Sequence, residues 1–445
     1  MHIVHSLLNE LKKEFTWSRK AKERGSWFIY TLLAIIIPFT SSRTSNLFRA
    51  LEILFGFVGI KKKRYYTFMA SPKIPWKSLW GRIWHMIPYP ETNGRLLIAL
   101  DDFINPKTGK KVFACTRVFD HAAKLNQSKY PRAQNVVSIG LLKMIKGRWA
   151  CIPLSHRFYH LKKEIEKNNP AYNGKPIEFR SKHKQAAGMI TDVAAQFPDT
   201  NILVVTDSWF GNNGMWEPLY RELDKQIHII SRLRSNNNLF AVQLKMETKR
   251  KPGRPRIYGD KLGTTSDLAS ESRDLAQEYK VNLYGRNRIV LAHDRVIMLK
   301  TLKRAVRVVW IYRKTRWIAL FSTDLSLSVT EIIEYYGARW KIEACFKELK
   351  REIGSAATQT RNSVAVTNHL SFCMMATSLT WIYACRLANT PSRRHAVHGR
   401  DHFAFSDVRR MLAKAALDDN FTLLCPPAGK LVNNSIVAAL FRLVA

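Results

Sequence analysis

The amino-acid sequence predicts a mixed α/β fold with a β-rich insertion and a helical N-terminal domain. Strand-like and helical runs alternate between residues 95 and 233, which is typical of a mixed sheet with helices on its faces. Hairpin-like patterns then interrupt this alternation over residues 234–327. Ahead of the alternating region, residues 1–90 contain apolar helical stretches separated by basic clusters.

The whole chain is strongly basic. Its 445 residues include 72 Lys and Arg against 34 Asp and Glu, a formal net charge of +38. This charge indicates a polyanionic partner, because neutralising phosphates releases counterions and drives association. Nucleic acid is the leading partner. An anionic membrane surface is the rival, based on the apolar run 27–39, which is short for a bilayer span.

Residues 1–90 are predicted to form a basic helical DNA-binding domain. They contain 15 Lys and Arg against 4 Asp and Glu, in clusters such as "SRKAKER" and "KKKR". Such clusters on a helical scaffold are typical of DNA contact. A solvated helical cap on the following domain is the alternative.

Residues 91–390 are predicted to form the main α/β domain. "RLLIALD" (95–101) and "KVFACTRVF" (111–119) read as strands, and the turn-rich "NPKTGKK" between them predicts a hairpin. The elements expected next are a helix over 181–197, a strand over 201–207, a helix after "GNNG" and a strand over 227–233.

The block 234–327 is the predicted β-rich insertion. Residues 304–323 read as a β-hairpin that turns between Arg313 and Arg316. Trp310 and Trp317 in this hairpin could stack on an unpaired or flipped base, although a tryptophan on a strand is more often part of the core.

The basic loop "KRKPGRPRIYG" (249–259) lies in the same block. Its Gly253-Arg254-Pro255-Arg256 stretch resembles the core of an AT-hook, in which Arg254 and Arg256 would enter the narrow minor groove of A·T-rich DNA. A solvated loop is the alternative.

Helices are predicted for the remainder of the chain. "SVTE" (328–331) has the form of a capping box with Ser328 as N-cap, so a helix starts there and runs past Lys350. An apolar helix over 369–387 should pack against the sheet. Residues 391–445 are predicted to form a small helical tail. The six cysteines lack any CxxC pair, which predicts reduced thiols in the cytosol.

Acidic residues follow two of the predicted strands. Asp101 and Asp102 end "LLIAL", and Asp207 closes the apolar run 202–206. In open α/β sheets the carboxyl ends of the strands face the crevice where ligands bind, so acids there are placed to hold a cation. Turn or N-cap aspartates are the alternative reading.

The helix after Ser328 places four functional side chains in one stripe. At 100° per residue, Tyr336, Arg339, Glu343 and Lys350 fall within an arc of about 60°. A solvated helix face could also carry such residues. The chemistry favours a site, because a carboxylate flanked by Arg and Lys can complete a metal site while the cations hold a phosphate.

These motifs resemble the DDE transposases of the bacterial insertion-sequence type. The spacing of Tyr336, Arg339, Glu343 and Lys350 is similar to the Tyr-Arg-Glu-Lys signature of that family. "LLIALDDF" and "NILVVTDSWFGN" resemble the strands that carry its first and second aspartates, and the β-rich insertion resembles its layout. Together these features span about residues 93–385.

The resemblance implies a ribonuclease-H-like catalytic domain with a DDE triad. The triad would be Asp101 or Asp102, with Asp207 and Glu343, and the choice within the pair is open, with a preference for Asp101 at the strand end. Tyr336, Arg339 and Lys350 would bind the phosphate. The three acids would hold two Mg²⁺ ions, for which Mn²⁺ can substitute.

The function implied is that of a transposase that cleaves transposon ends and joins the 3′-OH to target DNA. Its partners would be double-stranded terminal inverted repeats and target DNA, bound by a homodimer in a synaptic complex without any membrane role. Its location would be the bacterial cytoplasm, on the nucleoid. The alternatives are a catalytically inactive, transposase-derived DNA-binding protein and a nuclease of the same fold that acts on RNA.

Overall fold

A computed structural model describes residues 3–55, 61–120, 123, 125–243, 257–395, 398 and 402–417. The chain begins with helices, as predicted for residues 1–90. They are α1 (Ile3–Lys12), α2 (Arg19–Ile36), α3 (Thr44–Phe55), α4 (Lys62–Met69) and α5 (Trp76–Met86).

The apolar run of α2 is buried in the protein core. Residues 27–37 are all buried, and the Phe28 ring lies 5.0 Å from the ring of Phe372 in the C-terminal part of the chain. The membrane hypothesis required this run to be exposed. No helix within the described ranges is long and apolar enough to cross a membrane.

The central sheet is built from the region 95–232. Its elements are β1 (Arg95–Pro106), β2 (Cys115–Arg117), β3 (Arg132–Ile145), β4 (Arg148–Tyr159), α6 (Lys162–Asn168), β5 (Ala171–Tyr172), β6 (Lys175–Pro176), α7 (Lys182–Ala194), β7 (Asn201–Thr206), α8 (Asn213–Leu223) and β8 (Ile227–Arg232). The five main strands lie in the order β4-β3-β1-β7-β8. β3 runs antiparallel to β1 and β4, whereas β7 and β8 run parallel to β1. This is the ribonuclease-H-like arrangement, so the predicted fold class is confirmed.

The predicted hairpin between 95–101 and 111–119 is wrong. Only the short strand β2 forms in the second segment, and it pairs with β3 rather than with β1. The antiparallel partner of β1 is β3, which together with β4 was not predicted. Both long strands are buried along most of their length, so they lack the polar alternation that marks a half-exposed strand.

The β-rich insertion extends the same sheet. Its elements are β9 (Asn238–Phe240), β10 (Lys261–Thr264), α9 (Thr265–Glu271), β11 (Gln277–Leu283), β12 (Arg286–Leu299), β13 (Arg304–Arg313) and β14 (Arg316–Ser322). β13 and β14 form the predicted hairpin. β14 pairs with β8, so the insertion joins the sheet edge next to the strand that follows Asp207.

The described C-terminal part is helical, whereas residues 418–445 of the predicted helical tail lie outside the described residues. It contains α10 (Val329–Ala338), α11 (Lys341–Lys347), a π-helical turn (Glu348–Ile353), α12 (Ser363–Arg386) and α13 (Phe405–Ala416). α12 is buried along nearly its whole length. The hydroxyl of Ser378 in α12 donates to the Pro153 carbonyl of β4 at 2.7 Å, while the nearby Phe372 ring contacts α2, so this helix lies between the N-terminal helices and the sheet.

Candidate active site

The pairing of β1 with β7 brings Asp101 and Asp207 together. The two strands are parallel, and their last paired residues are Leu100 and Thr206. Asp101 and Asp207 are the next residues on adjacent strands, although they are more than 100 positions apart in the chain. β1 itself continues to Pro106 by pairing with β3, so Asp101 lies inside the strand and not at its end.

Asp101 and Asp102 have different surroundings. Successive side chains on a strand point to opposite faces of the sheet. An Asp101 oxygen lies 3.1 Å from an Arg339 nitrogen at the end of α10. An Asp102 oxygen lies 2.8 Å from the Lys182 nitrogen of α7 and accepts a second bond from Asn135 at 3.2 Å. The strand therefore directs the two carboxylates to opposite faces of the sheet. Of the two, Asp101 is the one that contacts Arg339, next to the helix that carries Glu343.

The loop after β7 fixes the Asp207 carboxylate. One of its oxygens accepts the backbone N–H groups of Trp209 and Phe210, both at 3.1 Å. The Asp207 carbonyl accepts the Ser231 hydroxyl of β8 at 2.6 Å. Gly211 lets the loop approach β8 closely, because a Cβ at this position would come within 2.2 Å of the Ser231 hydroxyl oxygen.

The helix that carries Glu343 begins as the sequence predicts but is not continuous. Ser328 caps α10 in a full capping box with Glu331. Regular α-helical structure is interrupted at Arg339 and Trp340 before α11 begins. Both of these residues keep right-handed helical backbone angles, so α11 continues α10 and brings Glu343 to the acids on the strands.

Arg339 links two of the three acids. Its guanidinium contacts Asp101 at 3.1 Å and Glu343 at 3.5 Å. It also lies over the rings of Tyr336, at 5.6 Å, and Trp340, at 5.4 Å. The Arg339 side chain is 7% exposed, whereas that of Glu343 is 42% exposed. The buried Arg339 side chain is thus held by its contacts, whereas the half-exposed Glu343 side chain has space to adopt another rotamer.

Two carboxyl groups of the acid cluster, those of Asp101 and Glu343, have raised pKa values. Burial raises the pKa of Asp101 to about 7; Arg339 opposes this rise, and the Asp207 carboxylate adds to it. Burial also raises the pKa of Glu343, and Asp207 again contributes by repulsion. Because Asp207 repels both carboxylates, the three acids share one electrostatic environment, and a divalent cation there would relieve the repulsion.

The donor set suits Mg²⁺ or Mn²⁺, since both prefer carboxylate oxygens. The side chains are not, however, gathered as metal ligands: across the described ranges, no three acidic, His or Cys side chains are close enough together to hold an ion. The carboxylates of Asp101 and Glu343 are instead held by Arg339, because its guanidinium forms an ion pair with each of them. Metal binding by all three acids therefore requires Glu343 to turn away from Arg339.

Lys350 is not brought to the acid cluster. It lies in the π-helical turn, whose wider winding departs from the 100° progression that placed it in the stripe. Burial lowers the pKa of its ammonium group; among nearby charges, Asp120 opposes this shift and Arg351 adds to it. Lys350 instead lines a cavity with Lys107, Arg132 and Arg351. Of the four residues of the stripe, Tyr336, Arg339 and Glu343 therefore lie at the site, whereas Lys350 lines the neighbouring cavity.

The remaining predicted DNA contacts have different outcomes. Trp310 is fully buried, and its indole N–H donates to the Thr265 carbonyl at 3.2 Å, so it is a core residue. Trp317 is partly buried against the core and pairs with Tyr312 on the neighbouring strand. Arg254 and Arg256 lie outside the described residues, so the AT-hook stays a prediction.

Sequence reasoning missed the aromatic side chains that border the acids. Trp209 is 42% exposed; its ring stacks on His183 at 4.4 Å and lies 5.4 Å below the Lys182 ammonium. Trp340 is 47% exposed beside Arg339. The available signal was position, since Trp209 follows Asp207 by two residues and Trp340 follows Arg339 directly.

Comparison with known protein families identifies the family of this chain. Residues 32–312 match the family described as DDE superfamily endonuclease, a span of more than half of the chain. The chain belongs to this family. The DDE endonuclease is therefore an enzyme of the nuclease or transposase type, with DNA as its substrate. No curated protein matches it.

We expect Asp101 to make the metal-free DDE endonuclease less stable as the pH rises from 5 to 7, an effect opposed by the buried histidines His156 and His369, whose pKa values burial lowers to about 3. The pKa of Asp101 is raised from 3.8 to about 7 on folding, so in this window the folded chain retains a proton that the unfolded chain has released. At about 1.4 kcal/mol per pKa unit, the loss from Asp101 over these two pH units is on the order of 2 kcal/mol. Glu348, whose pKa burial raises to about 8, adds to the loss and extends it to pH 8.

Thermal unfolding in EDTA at several pH values measures this effect. Between pH 5 and 7, Asp101→Asn should shift the slope of melting temperature against pH upward relative to wild type, because it removes the contribution of Asp101; Asp102→Asn is the matched control. A slope that is the same in all three proteins would show that Asp101 does not titrate in this range.

Proposed function

We propose that this DDE endonuclease is a DNA transposase that cleaves transposon ends and joins the freed 3′-OH to target DNA. The observation that supports this best is that Arg339 contacts both Asp101 and Glu343 while Asp207 repels both carboxylates, although the three acids come from distant parts of the chain. Carboxylates that repel one another in a partly buried site cost stability, and such perturbed groups are typical of functional sites. Phosphoryl transfer assisted by divalent ions is the chemistry that such a cluster suits.

The three carboxylates would hold two Mg²⁺ ions, for which Mn²⁺ can substitute. When bound, such ions activate the attacking oxygen and stabilise the leaving oxygen of the phosphate. Asp101 and Asp207 would provide the fixed part of the binding site, because β1 and the loop after β7 hold them. Glu343 would join when its half-exposed side chain turns from Arg339 to the aspartates.

Arg339 and Tyr336 would position the phosphate. Once Glu343 turns away, one side of the Arg339 guanidinium becomes available to a phosphate oxygen, and a guanidinium suits such an oxygen well. Burial raises the pKa of the Tyr336 hydroxyl, so this group stays neutral and can donate a hydrogen bond. Lys182 would act indirectly by holding Asp102 on the other face of β1.

The DNA partners follow from the charge of the chain. The basic helices of residues 1–90 are the proposed binding domain for the terminal inverted repeats, and the segment with Arg254 and Arg256 would contact the minor groove. Two ends must be held together for transposition, so we expect a homodimer in the synaptic complex. This assignment places the protein on the bacterial nucleoid.

The test is cleavage of the inverted repeats that flank the coding region. Wild-type protein should nick these ends in Mg²⁺ or Mn²⁺ but not in EDTA, and Glu343→Gln should cut at least about a hundredfold more slowly. Glu271→Gln, which changes an exposed glutamate of α9, is the matched control and should cut normally. Equal cutting by Glu343→Gln would defeat the site, and binding without any cutting would favour an inactive DNA-binding protein.

A further inference from the structure

A basic cavity opens beside α11, one helical turn after Glu343. It has a volume of about 620 Å³ and lies between α11, the turn that joins β11 to β12, and residues 402–406. Six of the side chains that line it are cationic: Arg148, Arg286, Lys341, Lys347, Arg351 and Arg393. Its acidic side chains are Glu348 and Glu352. We call this cavity the α11 groove.

Three cations of the α11 groove are not neutralised by the protein. Across the residues that the structure describes, Lys341, Lys347 and Arg351 form no ion pair with a carboxylate. Lys347 and Arg351 are exposed to solvent. Arg339 and Lys182, in contrast, pair with acids of the site. The positive charge of the groove is therefore available to a ligand.

The inner cations of the groove repel one another. Lys341 and Arg148 line the groove side by side. Burial lowers the pKa of Arg148; Glu348 opposes that shift, and Arg393 adds to it. Burial raises the pKa of Glu348 to about 8, so this carboxyl is mostly protonated at neutral pH and offsets little of the positive charge. An anion in the groove would relieve this repulsion.

The basic surface continues past the α11 groove. Arg351 and Glu352 also line the neighbouring cavity of about 690 Å³. That cavity contains Lys350, the residue that the sequence had assigned to the acid site, together with Arg43 and Arg132. The cations thus form a band along the end of the helix that carries Glu343. A band of this length suits a chain of phosphates, whereas a single small anion would need only one cluster of cations.

We propose that the α11 groove binds the phosphodiester backbone of the DNA that is cut at the acid cluster. This inference rests on the proposed function, because it takes the scissile phosphate to lie at Asp101, Asp207 and Glu343. Lys347 lies four residues after Glu343, about 6 Å along the helix axis, so a backbone that leaves the acids on this side reaches Lys347 first. Arg286, which belongs to the β-rich insertion, would contact the same DNA backbone.

Salt dependence of DNA binding tests the groove. The probe is a fluorescein-labelled 30-base-pair duplex of arbitrary sequence, in Ca²⁺ so that no cutting occurs, measured by anisotropy over a range of NaCl concentrations. The triple variant Lys341→Gln, Lys347→Gln, Arg351→Gln should lower the slope of log K against log salt by about 2 to 3, since each lost phosphate contact contributes about 0.9. Affinity at physiological salt should fall at least tenfold.

The matched control removes the same charge elsewhere. The variant Lys162→Gln, Lys163→Gln, Lys167→Gln changes three lysines of α6 and should alter the slope by less than one. Lys341→Arg, Lys347→Arg, Arg351→Lys keeps the charge of the groove and should keep the wild-type slope, which separates lost charge from lost folding. Equal slopes for the groove and α6 variants would overturn the inference. Loss of binding to phosphatidylglycerol vesicles, with DNA binding unchanged, would also overturn it.

The test separates this inference from the proposed function. If wild-type protein fails to cut in Mg²⁺ while the neutral groove variant and the α6 variant differ as expected, the transposase assignment fails and the groove still binds DNA backbone. If Glu343→Gln abolishes cutting while the groove variant binds like wild type, only the groove inference fails.

Discussion

Asp101→Asn is expected to slow DNA cleavage on the order of a thousandfold, whereas Asp102→Asn should slow it by less than about tenfold. Asp101 shares its environment with Asp207 and, through Arg339, with Glu343. Asp102 lies on the other face of β1, where Lys182 and Asn135 hold it. Single-turnover cleavage of a duplex end in Mg²⁺ measures both rates.

The two variants control for each other, because the same chemical change is made at neighbouring positions of one strand. Asp101→Asn should also make the melting temperature in EDTA fall less between pH 5 and 8 than in the wild type, since it removes a carboxyl group whose pKa is raised to about 7. Asp102→Asn should lower the melting temperature, because it leaves the partly buried ammonium of Lys182 without its partner. The reverse ranking of the cleavage rates would assign the first catalytic acid to Asp102.

Arg339→Gln is expected to reduce cleavage at pH 7 about a hundredfold and to destabilise the fold by on the order of 3 kcal/mol. Arg339 opposes the raised pKa of Asp101 and of Glu343, so without it both acids retain protons to higher pH. A divalent ion must then displace those protons. The cleavage rate of the variant should therefore recover partly between pH 7 and 9.

Arg95→Gln is the matched control for this loss. Arg95 forms a comparable partly buried ion pair with Asp324 at 2.8 Å, at the opposite end of the parallel part of β1. This variant should lose stability by a similar mechanism, yet cut at the wild-type rate and keep the wild-type pH profile. Arg339→Lys keeps the charge but cannot bridge two carboxylates in the same way, so an intermediate rate is expected. If Arg339→Gln and Arg95→Gln have the same rate and pH profile, Arg339 has only a structural role.

Much of the fold follows from local patterns in the sequence. The capping box at Ser328, the hairpin that turns after Arg313 and the buried strand before Asp207 each depend on neighbouring residues, and all three form as predicted. The predictions failed where pairing partners are distant. β1 pairs with β3 and not with the nearer β2, because the choice among strands depends on which apolar faces the whole sheet can bury.

The residues of the candidate site also fall into those that the sequence predicted and those that it did not. The sequence proposed Asp101 or Asp102, Asp207, Glu343, Arg339 and Tyr336 by position and resemblance. It assigned Lys350 to the site by helical periodicity, whereas the structure places Lys350 in the π-helical turn, where it lines a neighbouring cavity. It missed Trp209, because the exposure of an aromatic ring next to an acid depends on its neighbours in space.

The sequence by itself determined the net charge, the types of acid available and most of the helices and strands, since these depend on composition and short-range periodicity. The tertiary structure alone decided that Asp101 faces Arg339 while Asp102 faces Lys182, and that six cations line one groove beside α11. Those arrangements arise from strand register and from the packing of elements that are distant in the chain, where no local pattern records which side chains will meet.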